Sequence, residues 1–311
     1  MAKQCRRQIS GVLLLDKPSG LSSNVVLQQV KRLYFAAKAG HAGNLDPLAS
    51  GLLPICFGEA TKVLRFLLSA DKTYHFTCHL GTTTNTGDAE GEIVQQRLVG
   101  QLSPESVQQV LTRFIGEIQQ IPPMYSALKH QGQRLYRLAR QGIEVKRQPR
   151  DVTIRTLRLL NVKDEYIECQ VHCSKGTYVR TLAEDIGEAL GCGAHIVALR
   201  RTEVEPYDSS KMVTLEYLHK LAEQGHAALD ALLLPVDTVI AAWPAVCLRS
   251  EVARYLLQGQ TVLLPRVPTQ GWVRLYNRDD NYFLGVGEIL HDGRIALRRL
   301  IHSSFQHHAL Q

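Results

Sequence analysis

No stretch of this chain approaches the roughly 18 consecutive apolar residues that a membrane helix needs. No secretory leader opens it either, because Lys3, Arg6 and Arg7 precede an apolar run of only four residues, Val12–Leu15. Both absences point to a soluble, cytoplasmic protein. A disulfide framework is also missing. The seven cysteines (Cys5, Cys56, Cys78, Cys169, Cys173, Cys192, Cys247) form an odd set with no paired spacing, which suits a reducing compartment. Cys169 and Cys173 flank His172, but no second ligand pair follows, so no metal is expected. Alternation gives the two thiols a simpler place: Ile167, Cys169, Val171 and Cys173 fall on one strand face as small core residues. Internal repeats and low-complexity tails are absent too, which excludes repeat architectures.

What is present is 311 residues with a formal charge of +7. That length suits one large domain or a large and a small one. The charge favours a polyanionic partner without naming it. Gly11–Leu15 reads as a short buried strand, and Ser22, Ser23 and Asn24 are N-cap candidates for a helix through Val26, Val30 and Leu33. A second helix is expected around 59–68. Lys72–Gly81 switches to period two, with Tyr74, Phe76, Cys78 and Leu80 on one face. Thr82–Gly91 is polar and glycine-punctuated, a loop. A helix near 104–114 leads to a strongly basic stretch. There Lys129, Arg134, Arg137, Arg140, Lys146, Arg147 and Arg150 accompany Tyr125 and Tyr136, a mixture that suits phosphate neutralisation and base stacking as well as a solvated helix face. Two strands over 151–173, a helix over 177–190 stopped by Gly191 and a looser stretch over 224–244 follow. Short apolar runs (246–248, 271–276, 282–288, 294–300) then alternate with turns, the pattern of a small all-β module. The fold class is therefore α/β with a mixed sheet, not alternating βαβ units, plus a C-terminal β module.

The chemistry concentrates in Gly40-His-Ala-Gly-Asn-Leu-Asp-Pro-Leu-Ala-Ser-Gly51. Pro47 pushes Asp46 towards extended backbone, and Gly40, Gly43 and Gly51 permit tight bends. Taken alone, an Asp-Pro step in such a stretch is an ordinary turn. By the same standard Arg180 is a surface residue in a helical first turn, Tyr74 and Leu199 are core, and His41 is a turn histidine.

Four further stretches change that reading: Gly11-Val-Leu-Leu-Leu-Asp-Lys-Pro-Ser-Gly20, Asp71-Lys-Thr-Tyr-His75, Cys173-Ser-Lys-Gly-Thr-Tyr-Val-Arg-Thr181 and Ile196-Val-Ala-Leu-Arg-Arg201. With the Asp46 loop, in this order and at these separations, they closely resemble the TruB family of bacterial tRNA pseudouridine synthases. The resemblance runs from about residue 9 to the C-terminal end. It implies a pseudouridine synthase catalytic domain over 1–240, with a mobile basic thumb over 122–150, and an RNA-binding module of the PUA type over 245–311. The implied activity is conversion of the uridine at position 55, in the tRNA T loop, to pseudouridine. The partner is then tRNA, read through its T stem-loop, with no obligate protein partner evident.

That reaction breaks the bond from ribose to N1, turns the base and rejoins it at C5. No atom is gained or lost, so neither a redox cofactor nor an energy source is needed. The site must supply a carboxylate, a group that keeps it ionised and a wall against water, and the base must be extruded to reach it. The resemblance gives Asp46 the role of nucleophile or base. Attack at C1′, attack at C6 and a glycal-type route all remain open. Arg180 is the counter-ion expected to grip Asp46 in a fork. Tyr74 corresponds to the residue stacking on the target base, Tyr178 and Leu199 to pocket walls, and Asp88 to a polar pocket residue. His41 corresponds to a wedge that fills the place the uridine vacates. Lys17 and Pro18 read as braces for the loop. Asn85, where an aspartate is common, and Ala42, where threonine is usual, depart from the family pattern. Two competing classes are an RNA-binding tRNA chaperone without catalysis and a guide-dependent synthase acting on other RNAs.

Overall fold

The computed structural model describes residues 5–265 and 267–302. The run Val12–Leu15 lies in β1 (Gly11–Lys17), which is buried on both faces and so shows no polar alternation. The hydroxyl of Ser22 accepts from Val25 N at 3.3 Å and caps α1 (Ser23–Leu33). Short β2 (Ala39–His41) enters the Asp46 loop, and β3 (Ser50–Phe57) leaves it. The expected second helix divides in two. A 3-10 turn over Gly58–Lys62, closed by Val63 N to Ala60 O, precedes the short α2 (Leu64–Ser69). Then β4 (Lys72–Leu80) buries Tyr74, Phe76, Cys78 and Leu80 as its alternation requires. The stretch read as a loop opens instead with a strand, β5 (Thr82–Thr84), paired to β6 (Ile93–Gln96). Its β-branched threonines have strand propensity that the surrounding glycines mask.

The capping-box helix α3 (Pro104–Thr112) and β7 (Gly116–Gln120) lead into the basic stretch. There a two-residue hairpin, β8 (Lys129–His130) and β9 (Gln133–Arg134), precedes α4 (Leu135–Arg140). The long pair β10 (Arg150–Lys163) and β11 (Tyr166–Cys173) follows, with Cys169 and Cys173 buried as core residues. Next come α5 (Val179–Ala189), β12 (Ala194–Val204), β13 (Val213–Thr214), α6 (Leu215–Ala222) and α7 (His226–Asp230). The looser stretch is thus partly helical. Gly191, at φ +87°, ends α5 as expected.

The main sheet runs β13-β1-β3-β12-β4-β11-β10-β7, with β2 beside β3. One face packs against α1, α3, α5 and α6 through Val26, Val30, Val107, Leu111, Leu182, Ile186 and Leu218. On the other face Val12, Leu14, Leu52 and Cys56 join Val286, Ile301 and the partly buried Trp243 and Trp272 of the C-terminal part. That part is a second sheet: β14 (Ala245–Leu248), β15 (Val262–Leu263), β16 (Gly271–Asn277), β17 (Tyr282–Ile289) and β18 (Arg294–Leu300), ordered β14-β16-β17-β18-β15. It has its own apolar core and carries one helix the β reading omitted, α8 (Ser250–Leu257), whose Ala253 and Leu256 are buried. The expected module's end, 303–311, lies outside the described residues. Among the described residues no helix is long and apolar enough to cross a membrane.

Two central strands, β3 and β12, were not legible as strands. Pro54 interrupts β3, and its burial on both faces removes the period of two. Their parallel pairing sets Arg201 opposite Gly51. Gly51 has φ +97°, and a β-carbon there would lie 2.2 Å from the Arg201 carbonyl oxygen. Only glycine lets the two strands approach this closely.

Candidate active site

The loop between β2 and β3 is fixed from below before any ligand is considered. Lys17, fully buried at the end of β1, donates from Nζ to the carbonyls of Pro18 (2.9 Å), Leu21 (2.5 Å) and Pro47 (3.4 Å). Gly20 N donates to Pro47 O, and the Ser23 hydroxyl bridges the backbone N–H and carbonyl of Leu45. Asp46 therefore sits between two anchored neighbours. Desolvation lowers the Lys17 pKa to about 8, against the pull of the Asp46 charge. Its place among carbonyls matches the bracing role read from the sequence.

Arg180, in the first turn of α5, places Nε 2.9 Å from Asp46 Oδ2 and 3.7 Å from Asp88 Oδ2. The expected fork is not formed. Nη1 donates instead to Thr86 O at 2.6 Å, and Nη2 to Tyr125 O at 2.7 Å. One guanidinium thus ties the Asp46 carboxylate to the segment after β5 and to the basic stretch. Arg180 is 5% exposed, while 42% of the Asp46 side chain remains accessible from the cleft. Burial raises the Asp46 pKa, and the Arg180 charge offsets this only in part.

Asp88, buried, accepts at Oδ1 from the Thr86 hydroxyl (2.6 Å) and from Glu90 N (3.1 Å). Tyr178 precedes α5, and the buried Gln120 clasps its backbone at both N–H (3.0 Å) and carbonyl (3.3 Å). Burial raises the Tyr178 pKa. Tyr74 is 8% exposed and stands directly opposite Arg201 across the sheet. His41 is half-buried at the end of β2. Desolvation and the Arg201 charge lower its pKa, so its imidazole is neutral near pH 7.

All seven residues singled out in the sequence (His41, Asp46, Tyr74, Asp88, Tyr178, Arg180 and Leu199) line one cleft of about 1250 Å³. Part of the basic stretch joins them. Arg134, Arg137 and Arg140 recur every third position along α4 and its approach, and with Tyr125 and Tyr136 they line the same cleft. Lys129 and Lys146 do not line it, and Arg147 is engaged with Glu144 and Pro122 O. The chain's basic character therefore divides into a cleft-facing set and a structural or solvated set.

Sequence reading missed two buried cations in the site. Lys72 donates to the carbonyls of Leu67, Leu68 and Ala70 at the end of α2, and desolvation lowers its pKa to about 8. Arg201 is buried beneath the loop. A period-two reading of β12 would have found it, since Arg201 follows Leu199 by two and shares its inward face, while Arg200 pairs outward with Asp16.

Comparison with known proteins agrees with this geometry. Residues 31–179 match the N-terminal domain of TruB family pseudouridylate synthases. Residues 180–241 match the C-terminal domain of tRNA pseudouridylate synthase B, and 244–301 match a further C-terminal domain of TruB, pseudouridine synthase II. A tRNA pseudouridine synthase B of Nitrosococcus oceani is 57% identical over 97% of this chain and 99% of its own length. One from Coxiella burnetii is 54% identical over 96% of this chain and 97% of its own. Among solved structures, a chain of a Cbf5-Nop10-Gar1 complex has a TM-score of 0.73 at 24% identity, covering 95% of this chain and 86% of that one. The two chains share the fold over that span.

Proposed function

Since this chain belongs to the TruB family and is a tRNA pseudouridine synthase, we propose that its target is the uridine at position 55 of the T loop and that Asp46 is its essential carboxylate. The observation that carries the reading is the Asp46–Arg180 pair, at 2.9 Å, in a cleft lined by the arginines of α4. A carboxylate partly withdrawn from water is more reactive than a solvated one, and the adjacent guanidinium favours its ionised form. The residues to which the resemblance gives catalytic and pocket roles all line this cleft, which supports extending those roles to Asp46, Tyr74 and Arg180.

Tyr74 presents a ring and a hydroxyl to the nucleotide, and Tyr178 and Leu199 wall it from water. Asp88 holds the far side of Arg180. His41, neutral and flat, has the shape to fill the space an extruded base leaves. No step requires a group from outside the chain, so the proposed reaction runs without a cofactor. We place the catalytic domain at 1–240, its RNA-closing insertion at 122–150 and the PUA-like module at 245–311. A tRNA substrate and unpaired cysteines favour a cytoplasmic setting.

The test uses unmodified tRNA transcript, treated with purified protein and mapped by carbodiimide labelling and primer extension. A single stop at position 55 is expected. Stops elsewhere would keep the chemistry and reassign the substrate, and tight binding with no stop would leave a chaperone.

Affinity for a folded T arm should come largely from phosphates, with the strong salt dependence that counter-ion release imposes. Replacing Arg134, Arg137 and Arg140 together by glutamine should weaken tRNA binding. The slope of log K against log salt should then flatten by about 2–3. Filter binding between low and physiological salt measures it, and an unchanged slope would make α4 a solvated face.

A further inference from the structure

Arg201 is 1% exposed and, among the described residues, pairs with no carboxylate at salt-bridge distance. A lone buried cation is a poor way to stabilise a core, because an apolar side chain of similar volume avoids the desolvation. Its donors go to particular places. Nε donates to Leu52 O at 2.7 Å, at the start of β3, just after the catalytic loop. Nη2 lies 3.3 Å from Gly43 O and 3.5 Å from Ala42 O, just before Asp46. One guanidinium therefore spans both ends of the loop that carries Asp46. Tyr74, on β4, stands directly opposite Arg201 across the sheet and lines the same cleft.

Directly opposed residues on antiparallel strands share a sheet face and stand within side-chain reach of each other. Resting on the catalytic reading of Asp46 and Tyr74, we infer that Arg201 is a positioning residue: one buried side chain that holds the Asp46 loop and the Tyr74 side chain in one geometry. The charged groups close enough to feel the Arg201 charge include Lys17, Lys72 and His41, none of them an acid. An ammonium, a single point donor, cannot reach β3, the loop and Tyr74 together.

The experiment is a double-mutant cycle in the full-length protein. Wild type, Arg201→Lys, Tyr74→Phe and the double variant are compared for single-turnover pseudouridine formation, tRNA Kd and Tm. Arg201→Lys should lower the rate by about 10–100-fold while Kd stays within about threefold, because the change acts on geometry and not on tRNA contacts. Added to Tyr74→Phe, it should cost less than about threefold more, since coupled residues are non-additive. Fully additive losses with a normal Tm would overturn the inference and leave the catalytic reading intact. A wild-type rate for Tyr74→Phe alone would bring down that catalytic reading, and the inference with it. Should Arg201→Lys fail to fold, Arg201→Gln takes its place in the cycle. Failure of both to fold would mark Arg201 as a core strut and overturn the inference.

Discussion

Asp46→Asn should abolish pseudouridine formation, with the single-turnover rate falling on the order of 10⁴-fold or more, the scale seen when a nucleophile or base is removed. The affinity for tRNA should stay within a few-fold. Asparagine matches aspartate in volume, so the loop, held by Lys17, Ser23 and Gly20, has no reason to move. What changes is the charge and its lone pairs. An amide can neither attack carbon nor hold a proton, and its oxygen is a weaker partner for Arg180 Nε. Binding is different in kind, because it is spread over the arginines that line the cleft. Quench-flow on labelled transcript, with filter binding on the same preparation, separates the two. A rate within tenfold of wild type would remove Asp46 from the mechanism.

Arg180→Lys should cost about 10²–10³-fold in single-turnover rate, comparable to losing one preorganised donor at a reacting centre. The reason is the division of its N–H groups among Asp46, Thr86 O and Tyr125 O. A lysine ammonium can meet one of these points but not three, and two part-buried carbonyls would lose their donor. Affinity should change modestly, because neither carbonyl contact is to RNA. Near-normal turnover would show that the pair is incidental.

The charge itself is read through pH. Burial raises the Asp46 pKa, and Arg180 lowers it. On the proposed role of Asp46 only the carboxylate acts, so activity should be present above the folded-state pKa and lost as pH falls through it. The loss on acidification should therefore begin at a higher pH than an ordinary carboxylate would give. Arg180→Met, which removes the lowering contribution, should move that limb higher still. Glu184, one turn along α5, is held at about 7 by burial and titrates nearby. A matched Glu184→Gln profile distinguishes the two. A limb unmoved in Arg180→Met would mean that the guanidinium does not hold Asp46 ionised.

Much of the architecture was legible in local pattern. The inward face of β4 through Tyr74, the Ser22 cap of α1, the end of α5 at Gly191 and the core place of Cys169 and Cys173 each follow from periodicity or a single turn residue. The turn read over 40–51 is also local, because Pro47 and the glycines impose it whatever surrounds them. The split of residues 58–69, the β5–β6 pairing and strand β3 were not legible. Short elements and strands buried on both faces carry weak periodicity.

Local pattern set most of the elements and supplied the residue types for the chemistry. How those residues meet depends on the packing of the whole chain. Asp46 and Arg180 are far apart in the chain and come together because the sheet order β1-β3-β12-β4 lays the loop beside α5. That order also turns Arg180's other donors to backbone in place of the expected fork, and it sets Arg201 opposite Gly51 beneath the loop. Periodicity records the environment of a residue within its own element. The partner across a sheet is fixed by the packing of the whole chain, which no local window contains.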